Sequence, residues 1–404
     1  MRIVYLTQWF EPEPNIVKGI SFVHALEAAG HRVTVVTGFP NYPTGKLYPG
    51  YRLRVMRREI IDGVSVIRLP LYPSHDSSAL RRSANYLTFF LSVLVYCLFR
   101  TRRYDLAYVY HPPITVGLAA ALAGSIRRLP FALDIQDLWP DTVAATGMTG
   151  AARIAGWLNR VCTFVYGRAS AIIVQSEGMR RALVARGVPA AKVTTLRNWA
   201  DVEGMAAEPA REHEAGRPFT LVYGGNLGRA QALETVVDAA EIAEREPSDL
   251  QILIYGDGID AASLRERAQR LKVKSLRFEE RVSKDGILKI FAQADALLLH
   301  LRDDPLFAIT VPSKVQFYLA MGKPIIAGIA GEAADLLRES GAAIVVPPGD
   351  ADAMAQAIFK LAALSPEQRK AMGEEGRRYY RENLSIDRGI VRTLRVLEGI
   401  YSEK

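Results

Sequence analysis

A lysine stands where a helix would least favour one. In the stretch TVPSKVQFYLAMGKPIIAG, residues 310–328, Pro312 and Ser313 predict a helix start, and Gly322 with Pro324 its end. Lys314 then falls in the first turn, where unpaired backbone N–H groups already make the helix end positive. An anion shared by the ammonium and the helix end would reward that placement. A second junction points the same way. Gly224, Gly225, Asn226, Leu227, Gly228 and Arg229 lie between a strand pattern and a helix pattern. Glycines there let backbone N–H groups approach an anion, and Arg229 offers a bidentate contact to phosphate. Alone, such a turn is often merely tight. Two cationic loops in one half of the chain suit a diphosphate. The turn Tyr255-Gly256-Asp257-Gly258 follows another strand pattern and reads equally well as a simple turn or as a wall of a nucleotide pocket.

The first half carries its own polar candidates. In DIQDLWPD, residues 134–141, Asp137 follows a strand and is placed either for hydroxyl recognition or to cap a helix. His111, in YHPP, ends a strand and serves either as a hydroxyl contact or base, or as a structural histidine. Asp303 and Asp304 have no histidine or glutamate spaced for a metal site, so no metal is expected.

The elements that must position these residues alternate. Short β-branched runs at 2–6, 32–37, 106–109, 131–134, 171–174 and 193–196 are separated by helical patterns at 19–29, 114–126, 151–166 and 177–186. A polar stretch around 203–218 interrupts the pattern. It then resumes with strands at 219–223, 250–255, 275–278, 296–300, 324–327 and 343–346, and a helical stretch from 366 to 404. Such alternation implies parallel sheets with right-handed crossovers, the doubly wound α/β class. The expected organisation is an N-terminal acceptor-binding, membrane-facing domain (1–203), a linker (204–218), a C-terminal donor domain (219–382), and a C-terminal helix (383–404) able to return to the first domain. Ligands of this class bind at strand C-terminal ends, here in a central cleft.

Of the 404 residues, 49% are hydrophobic and 23% charged, a globular balance. The two cysteines, Cys97 and Cys162, lack metal-ligand spacing and predict reduced thiols in the cytosol, and the start of the chain runs into a strand without a visible secretory signal. Residues 1–200 hold 24 Lys+Arg against 11 Asp+Glu, so the first half should meet something negative. The apolar run YLTFFLSVLVYCLF, residues 86–99, is followed by Arg100, Arg102 and Arg103. Fourteen residues fall short of the roughly 20 that span a bilayer. The run reads as a core helix or as a monotopic contact, with Leu87, Phe89 and Phe90 entering lipid and the arginines meeting lipid phosphates. No aromatic recognition motif accompanies the basic residues, so no nucleic-acid partner is expected.

Taken in order, GHRVTVVTGFPNYPTG (30–45), DIQDLWPD, IIVQSEGMR (172–180), LRNWADVE (196–203), YGGNLGRAQALETVVDAA (223–240), IYGDG (254–258) and VPSKVQFYLAMGKPII (311–326) resemble the retaining glycosyltransferases of family 4, with the GT-B fold. The branch is similar to the WbuB-like enzymes that transfer an N-acetylated amino sugar in O-antigen or capsule synthesis. The resemblance implies a nucleoside-diphosphate sugar, with UDP as the nucleotide, bound by the C-terminal half. It also implies an acceptor bound by the N-terminal half and metal-independent transfer with retention. By position, Arg229 and Lys314 would hold the diphosphate and stabilise the leaving group, with Gly225, Asn226, Gly256 and Asp257 as further donor contacts. Many family members carry two glutamates before the helix end; here Ile309 and Phe317 stand in those places. Gln316, beside the second, reads either as a hydroxyl contact on the donor face or as a solvated position. Glu332 reads as a hydroxyl contact or a helix-start charge. The expected enzyme is thus a hexosyltransferase acting on a lipid-linked, polyprenyl diphosphate glycan acceptor at the inner face of the plasma membrane. Its rivals are a sugar-nucleotide epimerase and a catalytically inactive GT-B subunit.

Overall fold

The structure, a computed structural model, describes residues 1–14, 17–74, 78–142, 151–200, 217–245 and 249–402. Residues 204–216 of the expected linker lie outside them. The chain divides into two units, Met1–Asp201 with Ile386–Lys404, and Val202–Ser385.

In the first unit the described strands are β1 (Arg2–Leu6), β2 (Arg32–Gly38), β3 (Arg57–Ile61), β4 (Val64–Leu69), β5 (Leu106–His111), β6 (Phe131–Ile135), β7 (Ala171–Val174) and β8 (Val193–Thr195). They form one sheet in the order β3-β4-β2-β1-β5-β6-β7-β8. All neighbours are parallel except β3, which pairs antiparallel with β4. β5 and β6 are buried at every position, as strands covered on both faces must be. The helix Ala79–Arg100 packs against Ile114–Arg127, which packs against Ala151–Arg168, while Ile20–Ala28 packs against Ile386–Ser402.

Two sequence expectations need correction. The β3–β4 hairpin was not foreseen; Asp62 (φ 45°) and Gly63 (φ 83°) supply the two left-handed residues of its tight turn. The apolar run 86–99 is only part of a 22-residue helix, Ala79–Arg100. By length and composition, Leu80–Arg103 is long enough to cross a membrane, so shortness does not decide its role. One side of it, with Asn85, Phe89, Val93 and Cys97, is buried in the unit. Phe89 is therefore a core residue and cannot enter lipid, whereas Leu87, Leu91, Val95 and Phe99 are exposed. The stretch from Pro366 is two helices, Pro366–Asn383 and Ile386–Ser402, and the second, within the expected C-terminal helix (383–404), groups with the first unit.

The C-terminal helix is seated on an aromatic side chain. A Cβ at Gly389 would lie 2.2 Å from the Trp199 ring. The same ring meets Lys18, whose Nζ is 3.5 Å from the ring centre and 3.6 Å from Asp134 Oδ2. Trp199, Lys18 and Asp134 are all essentially inaccessible.

The second unit has β9 (Phe219–Gly224), β10 (Leu250–Tyr255), β11 (Leu276–Glu279), β12 (Ala296–His300), β13 (Ile325–Gly328) and β14 (Ala343–Val346), in the order β11-β10-β9-β12-β13-β14 and parallel throughout. Leu221, Tyr223, Val236, Ile252, Ile254 and Leu298 are among its core residues.

Gly389 yields a test of sign. Glycine to alanine inside a helix ordinarily stabilises by about 1 kcal/mol. Here the added methyl meets Trp199, and overpacking of that kind costs about 1–3 kcal/mol. Gly389→Ala is expected to lower the thermal unfolding midpoint of the full chain; a rise would mean the helix is not seated on Trp199.

Candidate functional site

Lys314 lies in the first turn of the helix Ser313–Met321, after the N-cap Pro312. Its ammonium donates to the Tyr223 hydroxyl at 2.7 Å and sits 3.9 Å from the centre of that ring. The Tyr223 hydroxyl in turn donates to the carbonyl of Asn226 at 2.7 Å. A Cβ at Gly225 would fall 2.3 Å from Lys314 Nζ, so a side chain there would displace the ammonium from this position. The residue keeps part of its surface in solvent, yet burial of the charged end pushes its pKa down to about 7. Among the described residues no carboxylate opposes that shift.

The two glycine turns pack on one another. A Cβ at Gly256 would lie 1.8 Å from the Gly225 carbonyl oxygen, and one at Gly258 would lie 2.3 Å from that of Leu227. Gly225 N–H donates to Tyr255, and Leu227 N–H donates to Asp257, both at 2.9 Å. Gly228 N–H and the Asn226 amide both donate to Gln231 Oε1. The expectation that these N–H groups form an anion cradle is therefore corrected: those of Gly225, Leu227 and Gly228 are taken up within the loops. The glycines exist for close backbone approach. Asp257 uses its carboxylate on the N–H of Gly258. Arg229 is exposed on the same loop, and that loop is held from behind by Arg302 N–H on Ala230 and by His300 on Gln231.

Gln316 is another correction. It is fully buried and so not solvated. With its amide nitrogen facing acceptors, it reaches the carbonyls of Pro312 (2.9 Å) and Ser313 (3.1 Å), which ties down its own helix start rather than presenting a donor group outward. Phe317 packs edge-on against Phe291, with ring centres 6.0 Å apart. Glu332 begins the helix Glu332–Glu339 after Gly331 (φ 71°). Gly331 is pressed against Ala308, so Glu332 neighbours the segment that carries Ile309. Asp304 caps the helix Pro305–Ala308 through Leu306 N–H.

In the first unit, His111 and Asp137 lie at the C-terminal ends of β5 and β6. His111 is buried, and neither ring nitrogen has a hydrogen-bond partner. Burial lowers its pKa to about 4, which keeps the imidazole neutral. Its ring meets Trp139 edge-on at 6.2 Å. Burial also raises the Asp137 pKa. Orphaned buried polar atoms are uncommon and mark where a ligand or water completes the bonding.

Sequence reasoning missed the scaffold beneath them. Asp134 accepts from Tyr108 and Gln136 and pairs with Lys18, whose pKa burial lowers to about 8 against the opposing pull of Asp134. Glu13 accepts backbone N–H groups from Asn41 and Tyr42 at 2.7 and 2.8 Å, joining the loops after β1 and β2. Gln8, Asn85 and Asn41 form a buried amide chain. One signal was available: Asp134 interrupts an otherwise apolar strand, and a charge there needs a buried partner.

Comparison with known proteins supplies the family. The family model described as "Glycosyl transferase 4-like domain" matches residues 21–199, and "Glycosyl transferases group 1" matches residues 218–363. The chain belongs to the family 4 glycosyltransferases, of GT-B type. This glycosyltransferase is 27% identical to WcaI of Escherichia coli (strain K12), named as a colanic acid biosynthesis glycosyl transferase, over 88% of this chain and 90% of that one. Its fold is shared with sucrose-phosphate synthase of Thermosynechococcus elongatus (TM-score 0.73, 17% identity, 100% of both chains). It is shared as well with Anabaena HepE in complex with UDP-glucose (TM-score 0.68, 15% identity, 99% of this chain and 100% of that one).

Lys314 makes the stability of the glycosyltransferase depend on pH. Its folded pKa of about 7 lies below the ordinary lysine value of 10.5, so the unfolded chain binds more protons between those limits and stability rises with pH across them. Lys314→Met removes that contribution. It is expected to raise the melting temperature at pH 7 without ligand, by a margin that shrinks toward pH 10. A margin independent of pH would show that the ammonium is not desolvated.

Proposed function

We propose that this glycosyltransferase moves an N-acetylated hexosamine, with retention and without a metal ion, from a UDP-linked donor to a polyprenyl diphosphate-linked glycan in surface-polysaccharide synthesis. It does so as a peripheral protein on the cytoplasmic face of the membrane. The observation that carries the donor reading is Lys314, a desolvated ammonium at a helix N-terminus with a tyrosine hydroxyl, and no described carboxylate, beside it. A diphosphate would supply the missing anion, and its growing charge on leaving would be stabilised by the same ammonium. Arg229 on the neighbouring loop is free to swing to the same anion. The WcaI name, with its reference to colanic acid, supports the polysaccharide setting, and the UDP-glucose complex of HepE supports a uridine nucleotide. His111 would meet sugar or acceptor hydroxyls with the ring nitrogens that lack partners in the free protein, and Asp137, whose carboxyl pKa is raised by burial, would do so beside it. Glu332 follows Gly331, which is pressed against Ala308 beside the place where Ile309 replaces the family's glutamate, and it would contact donor hydroxyls.

The test is nucleotide-sugar binding by thermal shift, followed by product analysis with lipid-linked acceptors. Lys314→Ala and Arg229→Ala should each weaken UDP-sugar binding by about 10- to 100-fold, since a hydrogen bond to a charged group is worth about 1.5–3 kcal/mol. Turnover should fall with it. Unchanged affinity in both variants would remove the diphosphate site. Product formed from donor alone would indicate an epimerase, and donor binding without transfer would indicate an inactive subunit.

The membrane reading rests on the exposed apolar line of the helix Ala79–Arg100 and on Arg100, Arg102 and Arg103 at its end. Replacing the three arginines by serine should lower co-sedimentation with anionic vesicles at low salt and leave the melting temperature nearly unchanged. Equal binding by the variant would exclude that cluster.

A further inference from the structure

The helix Ala79–Arg100 does not stand alone. It is the first of three side-by-side helices, followed by Ile114–Arg127 and Ala151–Arg168. Residues 79–103, 114–128 and 151–168 together contain ten arginines and no lysine, aspartate or glutamate. The helices Ile20–Ala28 and Ile386–Ser402, which pack on each other elsewhere in the unit, carry Glu27, Asp387 and Glu398. A solvated helix normally mixes both signs of charge, so an acid-free layer of three helices calls for an anionic neighbour.

The layer also exposes large apolar groups beside its arginines. Leu87, Leu91, Val95 and Phe99 recur every fourth residue on the first helix, which keeps them on one side. Ile126 is 66% exposed next to Arg127 and Arg128, and Trp157 is 62% exposed one turn before Arg160. Further along, Arg168 lies over the Phe164 ring at 5.6 Å. Scattered exposed apolar residues are ordinary, but a set shared by three adjacent helices with only positive charge between them is not.

We propose that this three-helix layer as a whole lies on an anionic bilayer, with Trp157 as the anchor at the headgroup boundary on the helix Ala151–Arg168. The proposal rests on the membrane reading above and extends it to two further helices. Indole suits the boundary because it offers an apolar body and one N–H donor, and guanidinium groups pair with lipid phosphates through fixed forks. An acidic protein would answer the charge, yet it gives no reason for the exposed leucines and tryptophan. The placement also fits the chemistry. The helix Ile114–Arg127 begins three residues after His111, so the edge of the layer borders the orphaned imidazole. An acceptor held in the bilayer would present its sugar there.

Tryptophan fluorescence tests this in the full chain. Trp199 is buried and Trp9 and Trp139 are partly covered, leaving Trp157 as the exposed tryptophan among the described residues. Vesicles of phosphatidylglycerol and phosphatidylcholine with brominated acyl chains should quench the wild type and shift its emission to the blue. Trp157→Phe, which should fold normally, should show neither effect while still co-sedimenting. The double variant Ile126→Ser with Trp157→Ser should bind vesicles about tenfold more weakly. If the protein co-sediments but quenching is the same in wild type and Trp157→Phe, the two added helices do not touch lipid and this inference is overturned while the membrane reading stands. If the wild type does not co-sediment at all, both fall, and capture of an acidic protein or self-association would identify the other occupant.

Discussion

Burying an ammonium is costly unless something negative goes with it, and that constraint organises both units. Two of the lysines that burial desolvates, Lys18 and Lys314, are resolved differently. Lys18 has Asp134 at 3.6 Å and the Trp199 ring at 3.5 Å, and the surrounding tyrosine and glutamine complete the carboxylate's bonding. Its charge is answered within the fold, and the C-terminal helix closes over the arrangement at Gly389. Lys314 has a tyrosine ring and hydroxyl but no described carboxylate. The first is a structural pair. The second is an open electrostatic demand at a helix start, the kind of place where an anion binds.

This changes what the glycines in the second unit mean. A glycine-rich turn after a strand is easily taken as a set of N–H donors aimed at phosphate. Here the N–H groups of Gly225, Leu227 and Gly228 already have partners, and the glycines allow two loops and a lysine to occupy almost the same space. The positive character of the site is then concentrated in side chains, Lys314 inside and Arg229 at the rim, rather than spread over the backbone. Such an arrangement is more sensitive to pH than a backbone cradle, because amide groups do not titrate in this range and a lysine held near 7 does.

What was legible in the sequence follows from range. Strand and helix periods are local, so the alternation, the break near residue 203 and the helix start at Ser313 could all be read directly. The β3–β4 hairpin was missed although its signal is also local: Asp62-Gly63 between apolar runs was masked by the arginines that crowd the strands. The helix Ala79–Arg100 was read too short because polar and charged residues at its start do not look apolar, yet the helix needs only a capping Ser78 to begin there. Gln316 and Phe89 were misjudged for another reason. Side-chain type does not say which face of a helix meets the core, and an amide can be buried when its own helix start offers two carbonyls. Lys18 with Asp134, Glu13 with the loop at Asn41, and the orphaned nitrogens of His111 depend on contacts between distant segments, which no period encodes.

The orphaned imidazole and the desolvated ammonium are alike in one respect: each is unfavourable in the free protein. A fold under no other demand would replace His111 with an apolar residue and Lys314 with a methionine, since buried polar groups without partners lower stability. His111 ends β5, and the Lys314 ammonium reaches Gly225, just past the end of β9, so both lie where loops converge at parallel strand ends. The same logic applies to the acid-free helix layer, whose one-signed charge an anionic surface would answer under the proposal above. Under the proposals above, each of these features would be answered by a ligand of definite chemistry: a diphosphate, a hydroxyl-bearing sugar and a phospholipid headgroup. Under the proposed function, a nucleotide-sugar donor and a lipid-linked acceptor would each answer one of these imbalances, so the proposal draws on the energetics of the unliganded chain as well as on its motifs.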